Sequence, residues 1–301
     1  MSASIHLPIP PELEHAETDD RSVLCFHHGF PSRMVRWHCH DEYELHLIVA
    51  SVGKAFIGDY VGGFGPGQLV LTGPGLPHNW ITQTDGREHI EVRDMVIQFR
   101  QDMVASMAAV ASELKPLLPL LEKARHGIHF AGTAQSDSEP WFHRIEKADG
   151  PSRIALLMQF LEFLSHQTNQ VLLSTLPMRA REDAESLDKV ERAISHMTGH
   201  YAGEVVLADV AALAGMSESA FSRLFARSTG NSFTRFLNRI RVAKACELLS
   251  ETNEPITGIC YQVGFNNVAN FNRRFRELKS VTPREYRRLS RLQHGDPDAG
   301  H

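Results

Sequence analysis

Over the first hundred residues, apolar and polar positions exchange every one or two residues, and glycine or proline interrupts the pattern every few. "YELHLIVA" (43–50) alternates, which sends successive side chains to opposite faces of a strand. "GKAFIGDYVGGFGPGQLVLTGPGLPHNW" (53–80) places turn residues between short apolar runs. From Ser22 to about Phe99 this predicts a small β unit, a barrel or a sandwich. Beyond Phe99 the period lengthens. "RQDMVASMAAVASELKPLLPLLEKA" (100–124) predicts one or two helices broken near Pro116. "PSRIALLMQFLEFLSHQ" (151–167) predicts another, with Pro151 in the first turn, where a missing N–H costs nothing. Its Ile154, Leu157, Met158, Leu161 and Leu164 fall at helical spacing, and apolar residues occupy more than one face. That makes it the candidate for a dimer contact, with core packing as the alternative. Residues 174–186, "STLPMRAREDAES", are polar and mixed in charge and predict a linker. Leu187 to Arg288 then predicts helix almost throughout, and the tail "LQHGDPDAGH" predicts disorder.

The helical third repeats itself. "LADVAALAG" (207–215) and "ITGICYQVG" (256–264) carry apolar or small residues at matching offsets, 49 residues apart. Phe221, Arg223, Phe225, Gly230, Ser232 and Phe236 are then mirrored, 50 residues on, by Phe271, Arg273, Phe275, Ser280, Thr282 and Tyr286. Each copy reads as a short helix, a glycine-containing turn and a second helix, the helix-turn-helix arrangement. Between the copies, "SFTRFLNRIRVAKACELLSE" (232–251) predicts one amphipathic helix. Phe233, Phe236, Leu237, Ile240 and Leu248 face inward, and Arg235, Arg239 and Lys244 face outward. At ~1.5 Å per residue its length is ~27 Å. Such a spacer could set the two second helices about one DNA turn, ~34 Å, apart.

Charge sharpens this picture. The net −5 conceals an asymmetry: residues 186–292 carry 16 Lys/Arg against 10 Asp/Glu, while residues 1–185 carry 15 against 24. A basic, arginine-rich third suggests a polyanion partner for that part only. With 301 residues, 42% hydrophobic and 22% charged, the chain can fill two ordinary cores. No apolar run approaches the ~20 residues of a membrane helix, and the proline-broken, acidic N-terminus has no signal-peptide core. The four cysteines are scattered with no C-x-x-C pair, so reduced thiols and a cytoplasmic location are expected.

The segments "GMSESAFSRLFARSTGNSFTRFLNRIRVAKACELL" and "ITGICYQVGFNNVANFNRRFRELKSVTPREYRR" resemble the AraC/XylS family of bacterial transcription regulators. They depart from its pattern at Ser280, in place of a usual glycine, and Lys279, in place of a usual aromatic. The resemblance implies that the second helix of each copy reads double-stranded promoter DNA. In the first copy it exposes Ser219, Ala220, Ser222 and Arg223 and buries Phe221, Leu224 and Phe225. In the second it exposes Asn267, Val268, Ala269, Asn272 and Arg273 and buries Phe271 and Phe275. Arg223 and Arg273 would then suit guanine, Asn267 or Asn272 adenine, and Val268 and Ala269 a thymine methyl. Arg227, Arg274 and Arg276 would touch phosphates, which set register rather than sequence. A homodimer, a contact with RNA polymerase and activation of sugar or polyol genes are family-level expectations.

The remaining chemistry sits in "RWHCHDEYELH" (36–46) and "GPGLPHNW" (73–80). His38, His40 and Glu44 share a parity and His78 follows later, whereas Cys39 has the opposite parity; His27, His28 and His46 are individually uninformative. The residue types allow a metal centre, a polar ligand pocket flanked by Trp37 and Trp80 whose rings could stack on a sugar, or hydrogen-bonded structure at a barrel mouth. The stretches "HCHDEYELHLIVASVGKAFIGD" and "GPGQLVLTGPGLPHNW" resemble the cupin barrel that many AraC-type regulators use to sense effectors. That resemblance favours an effector pocket of Trp37, His38, His40, Glu44, His78 and Trp80, with no metal or other cofactor.

The expected architecture is thus α+β. An N-terminal arm (1–20) precedes a cupin-like effector and dimerisation domain (21–173) with flanking helices. A linker (174–186), a double helix-turn-helix domain (187–290) and a disordered tail (291–301) follow. The expected function is sequence-specific transcription regulation without catalysis. The alternatives are a metal-dependent cupin enzyme with a helical appendage and a DNA-binding regulator with no effector.

Overall fold

Strand alternation is realised as two antiparallel sheets. The computed structural model describes residues 21–31, 37–82, 89–132, 135–175 and 184–293. β1 (Val23–Phe30), β2 (Glu42–Ile48), β5 (Leu69–Thr72), β7 (Ile90–Arg100), β8 (Ile128–Phe130) and β9 (Gln170–Leu172) form a sheet in the order β1-β7-β2-β5-β8-β9. β3 (Gly53–Ile57), β4 (Tyr60–Phe64) and β6 (His78–Thr82) form a second in the order β4-β3-β6. Tyr43, Leu45, Leu47, Met95, Ile97 and Phe99 point from the larger sheet into a core roofed by helices. Ile48 and Val70 face Ala55, Ile57 and Trp80 of the smaller one. The two sheets face each other in a cupin-like arrangement, and among the described residues no ladder closes them into a continuous ring.

The roof consists of α1 (Gln101–Val110), a 3-10 turn (Ser112–Leu117) holding Pro116, α2 (Leu118–Ala124), α3 (Gln135–Lys147) and α4 (Gly150–Ser165). The helix is interrupted at Ala111, in extended geometry, and Pro116 lies within the 3-10 turn that follows. On α4, Leu157, Phe160, Leu161 and Leu164 are buried, and Ile154, Leu156, Met158 and Phe163 pack against the same core. Core packing therefore accounts for its several apolar faces.

α5 (Ala184–His200) begins inside the stretch expected to be linker; residues 176–183 lie outside the described residues, as do the arm 1–20 and most of the tail. The two helix-turn-helix units are α6 (Leu207–Leu213) with α7 (Glu218–Thr229), and α9 (Ile256–Gln262) with α10 (Val268–Lys279). α8 (Phe233–Glu251) joins them, and α11 (Pro283–Gln293) closes the domain. Ser217 caps α7 and Asn267 caps α10, each accepting a backbone N–H three residues on, from Ala220 and Asn270. Both second helices end on a left-handed residue, Gly230 at φ 65° and Ser280 at φ 62°. The repeat is therefore obeyed in backbone even where the glycine is absent.

α8 lies against β4, and so ties the two domains. Phe236 stacks on Phe56 with ring centroids 5.7 Å apart. Arg239, expected to face outward, is half-buried and donates to Asp59 Oδ2 at 3.0 Å. Lys244, also expected outward, is half-buried and pairs with Glu247 at 2.9 Å, and Glu247 in turn contacts Lys54 of β3. Arg239 and Lys244 thus turn to the smaller sheet rather than to solvent, because Asp59 and Lys54 lie across from that face.

Candidate effector site and DNA-reading face

The histidine cluster is assembled by a short bridge. The segment around His38 pairs with β6, His38 N–H donating to the His78 carbonyl (3.2 Å) and His78 N–H to the His38 carbonyl (2.9 Å). This sets the two imidazoles side by side, centroids 4.4 Å apart, with His40 5.1 Å from His78. Glu44 reaches them from β2 on the face turned toward the smaller sheet. One ligand atom from each of His38, His40, Glu44 and His78 lies within 4.8 Å of all the others. Cys39 is outside this group; burial and Asp41 push its thiol up to about 11, so it stays protonated.

Glu44 is 3% exposed. Burial alone would raise its carboxyl, but the imidazoles of His78, His40 and His46 more than offset this and hold it well below the usual range. Gln98 of β7 donates to its Oε2 at 3.0 Å. The network continues inward: His46 Nδ1 stands 3.3 Å from Glu44 Oε1 and its Nε2 3.1 Å from Asp94 Oδ2. Burial would lower the His46 imidazole, yet Asp94 and Glu44 raise it to about 8, so it is held as a cation between two carboxylates. Arg93 and His28 complete the shell of Asp94. His46 was uninformative as a lone histidine; its shared parity with Glu44 was the available signal, and only the tertiary partner Asp94 gives it meaning.

The two tryptophans do not line an open cleft. Trp37 is 1% exposed and packs among Val190, Ile194 and Phe221 of the helical domain, while Trp80 is 2% exposed with its ring 3.7 Å from His46. Docking of α5 covers Trp37, whereas Trp80 is buried between the two sheets with Ile48, Ala55 and Val70. Glu191 accepts the Trp37 backbone N–H at 2.7 Å and two bonds from the Asn79 amide at 3.1 and 3.3 Å. Trp37 and Asn79 adjoin His38 and His78 in sequence, so a helical-domain carboxylate grips both strands that present the histidines. No sequence pattern marked Glu191 or Asn79.

In the helical domain, α7 exposes Ser219, Arg223 and Arg227, with Ala220 and Ser222 half-buried. α10 exposes Ala269, Asn272, Arg273 and Arg276. Phe221, Leu224, Phe225, Phe271 and Phe275 are buried. Besides Ala220 and Ser222, which were expected to be exposed, three residues sit differently from the sequence reading. The Asn267 side chain is occupied as the α10 cap, Val268 is half-buried against the second core, and Arg274 is half-buried with Nη1 2.8 Å from Glu277. Arg273 is steadied by Asn270 Oδ1 at 3.1 Å.

A two-sheet domain joined to two capped helix-turn-helix units is the layout of a DNA-binding transcription regulator that carries a ligand-binding domain. The model of the AraC-like ligand binding domain matches residues 22–180, more than half of the chain, and a helix-turn-helix domain model matches residues 210–289. The chain belongs to the AraC family of transcription regulators. It is 32% identical over 136 residues to an HTH-type transcriptional regulator of Staphylococcus aureus, covering 44% of this chain and 17% of that protein. It is 29% identical over 130 residues to the regulatory protein PocR of Salmonella typhimurium, covering 41% and 43%. The matched stretch therefore spans less than half the length of these curated relatives. A transcriptional regulator with an AraC-type DNA-binding domain from Chromobacterium violaceum has a solved structure that is 28% identical. It covers 38% of this chain and 99% of its own, with a TM-score of 0.34.

Proposed function

We propose that the chain binds specific promoter duplexes through α7 and α10, and that occupancy of the His38, His40, Glu44 and His78 site changes how the helical domain docks on the sensor. The carrying observation is the Glu191 grip on Trp37 and Asn79, which joins the site to the helical domain directly. A ligand shifts such an equilibrium only by its differential affinity for the two arrangements. Arg223 and Arg273 occupy equivalent, exposed positions and read bases, supported by Ser219, Ala220, Ser222, Ala269 and Asn272. Arg227, Arg274 and Arg276 set the register on phosphates, and Asn267 and Val268 serve chiefly to cap and seat α10. With both indole rings packed against protein, a sugar or polyol would find no stacking face, which leaves imidazole and carboxylate to meet the effector. Activation, pairing into a homodimer, a contact with RNA polymerase and work in the cytoplasm complete the proposal, and no catalytic step belongs to it.

The test is selection of duplexes from a random pool by the full chain, followed by footprinting. Two protected segments about one helical turn apart are expected. Retention of duplexes without any shared sequence would refute specific reading.

A further inference from the structure

Resting on the reading that α7 and α10 engage one duplex together, we infer that Arg241 is a positioning residue that locks the joint between the two helix-turn-helix units and so fixes the half-site spacing the protein accepts. α8 carries both units, but a single connecting helix sets only their separation and leaves their relative tilt to side-chain packing. An attachment away from the α8 axis removes that freedom, and Arg241, near the middle of α8, makes one. Its Nε donates to the Tyr201 carbonyl at 2.8 Å and its Nη2 to the Gly203 carbonyl at 2.9 Å, both in the loop between α5 and α6 of the first unit. Its guanidinium carbon also lies 5.7 Å from the centroid of the Phe265 ring, in the turn between α9 and α10 of the second. Burial pushes this guanidinium below its ordinary value, so the two carbonyls and the ring face take the place of the water it has lost. A planar fork of donors suits that task, and an ammonium does not.

The matched turn glycines of the repeat point the same way. Gly215 in the first copy and Gly264 in the second both have positive φ, 66° and 90°. A Cβ on Gly215 would meet nothing within 4 Å. One on Gly264 would lie 2.5 Å from the Tyr201 carbonyl oxygen and 2.9 Å from both the Ala202 carbonyl oxygen and Arg241 Nε. Turn geometry alone accounts for the first glycine, whereas the second is also where the backbones of the two units touch. The Tyr201 side chain packs against the apolar clusters of both units. Loop, turn and guanidinium thus form a second strap beside α8.

One inserted base pair displaces a half-site by ~3.4 Å and ~35°, which a locked joint should reject. The full chain is assayed on its selected duplex and on the same duplex with one base pair added between the two protected segments. In parallel, nitroxides on ketone-bearing residues at Ala226 and Glu277, exposed positions of α7 and α10, report the distance between the units by pulsed electron resonance. Wild type should lose at least tenfold in affinity on the lengthened duplex and give one narrow distance. Arg241→Lys, which keeps the charge and loses the fork, and Gly264→Ala should each lose less than threefold and give a broadened distance. Gly215→Ala, strained but with nothing to meet, should lower the melting temperature and keep both wild-type readouts, which separates a joint from general destabilisation. A wild-type chain that tolerates the insertion or gives a broad distance overturns the proposal. So do folded Arg241→Lys and Gly264→Ala chains that both keep the tenfold discrimination and the narrow distance. A wild type that binds no specific duplex removes the reading of α7 and α10 instead, and the distance alone then decides the joint.

Discussion

At the scale of single residues, the two copies of the repeat differ in ways that can be measured. Arg223 and Arg273 stand at matched positions, both exposed and both beyond the capped first turn of their helix. Replacing either with Ala should weaken binding to the selected duplex by about 1–3 kcal/mol and relax preference at one or two base pairs. Competition assays with single-base variants read this directly, and an unchanged preference would move the reading role elsewhere. Ser280 adopts φ 62° where the first copy has Gly230 at φ 65°. A Cβ in the left-handed region is strained, so Ser280→Gly should raise unfolding stability by about 0.5–1 kcal/mol. Urea denaturation of the pair measures it, and a loss of stability would mean that the serine makes a compensating contact.

At the scale of elements, α8 is both the spacer between DNA-reading units and the floor on which β3 and β4 rest. Asp59, at the β3–β4 turn, is its anchor. Burial alone would raise the Asp59 carboxyl, but hydrogen bonds from Thr175, the Arg239 guanidinium and Ser174 lower it below its ordinary value. A carboxylate lowered on folding contributes stability that is complete above its exposed value of about 3.9 and is lost as pH falls through the lower folded value. Asp59→Asn should therefore cost about 2–4 kcal/mol near neutral pH by leaving Arg239 half-buried without its counter-ion. The difference from wild type should shrink when denaturation is repeated below pH 4. A gap that stays constant with pH would assign the loss to packing rather than to charge.

At the scale of the whole molecule, the two domains share a core. Among the described residues, the apolar cluster of the second helix-turn-helix, around Phe265, Phe271 and Phe275, is made of helical-domain side chains. The first has Trp37, Phe56 and Val61 of the sensor domain in its cluster. A fragment of residues 184–293 should accordingly stay helical and bind duplex DNA, with affinity falling steeply as salt rises through counterion release. Its first unit should be the weaker, showing faster amide exchange over α6 and α7 than over α9 and α10. Equal protection of the two units would show that the sensor contributes nothing to that core.

Sequence alone determined what is written locally or twice. Helix-turn-helix pairs, the joining helix and an interrupted helix near Pro116 follow from short-range periodicity and backbone chemistry, whereas Asn267, assigned from sequence to a base contact, is the α10 cap in the fold. The parity of His38, His40 and Glu44 placed three imidazole and carboxylate groups on one face. Tertiary structure decided everything that needed a distant partner. β8 and β9 are three residues each, too short to carry a period, and exist because they pair with β5 and with one another. Arg239 became an anchor rather than a solvent-facing cation because Asp59 comes to it from 180 positions away in sequence. His46 became a buried cation through Asp94, and the site acquired its connection to the helical domain through Glu191. Such roles depend on low-dielectric contacts between remote segments, where charge and hydrogen bonding are strongest. No local pattern of residues encodes them.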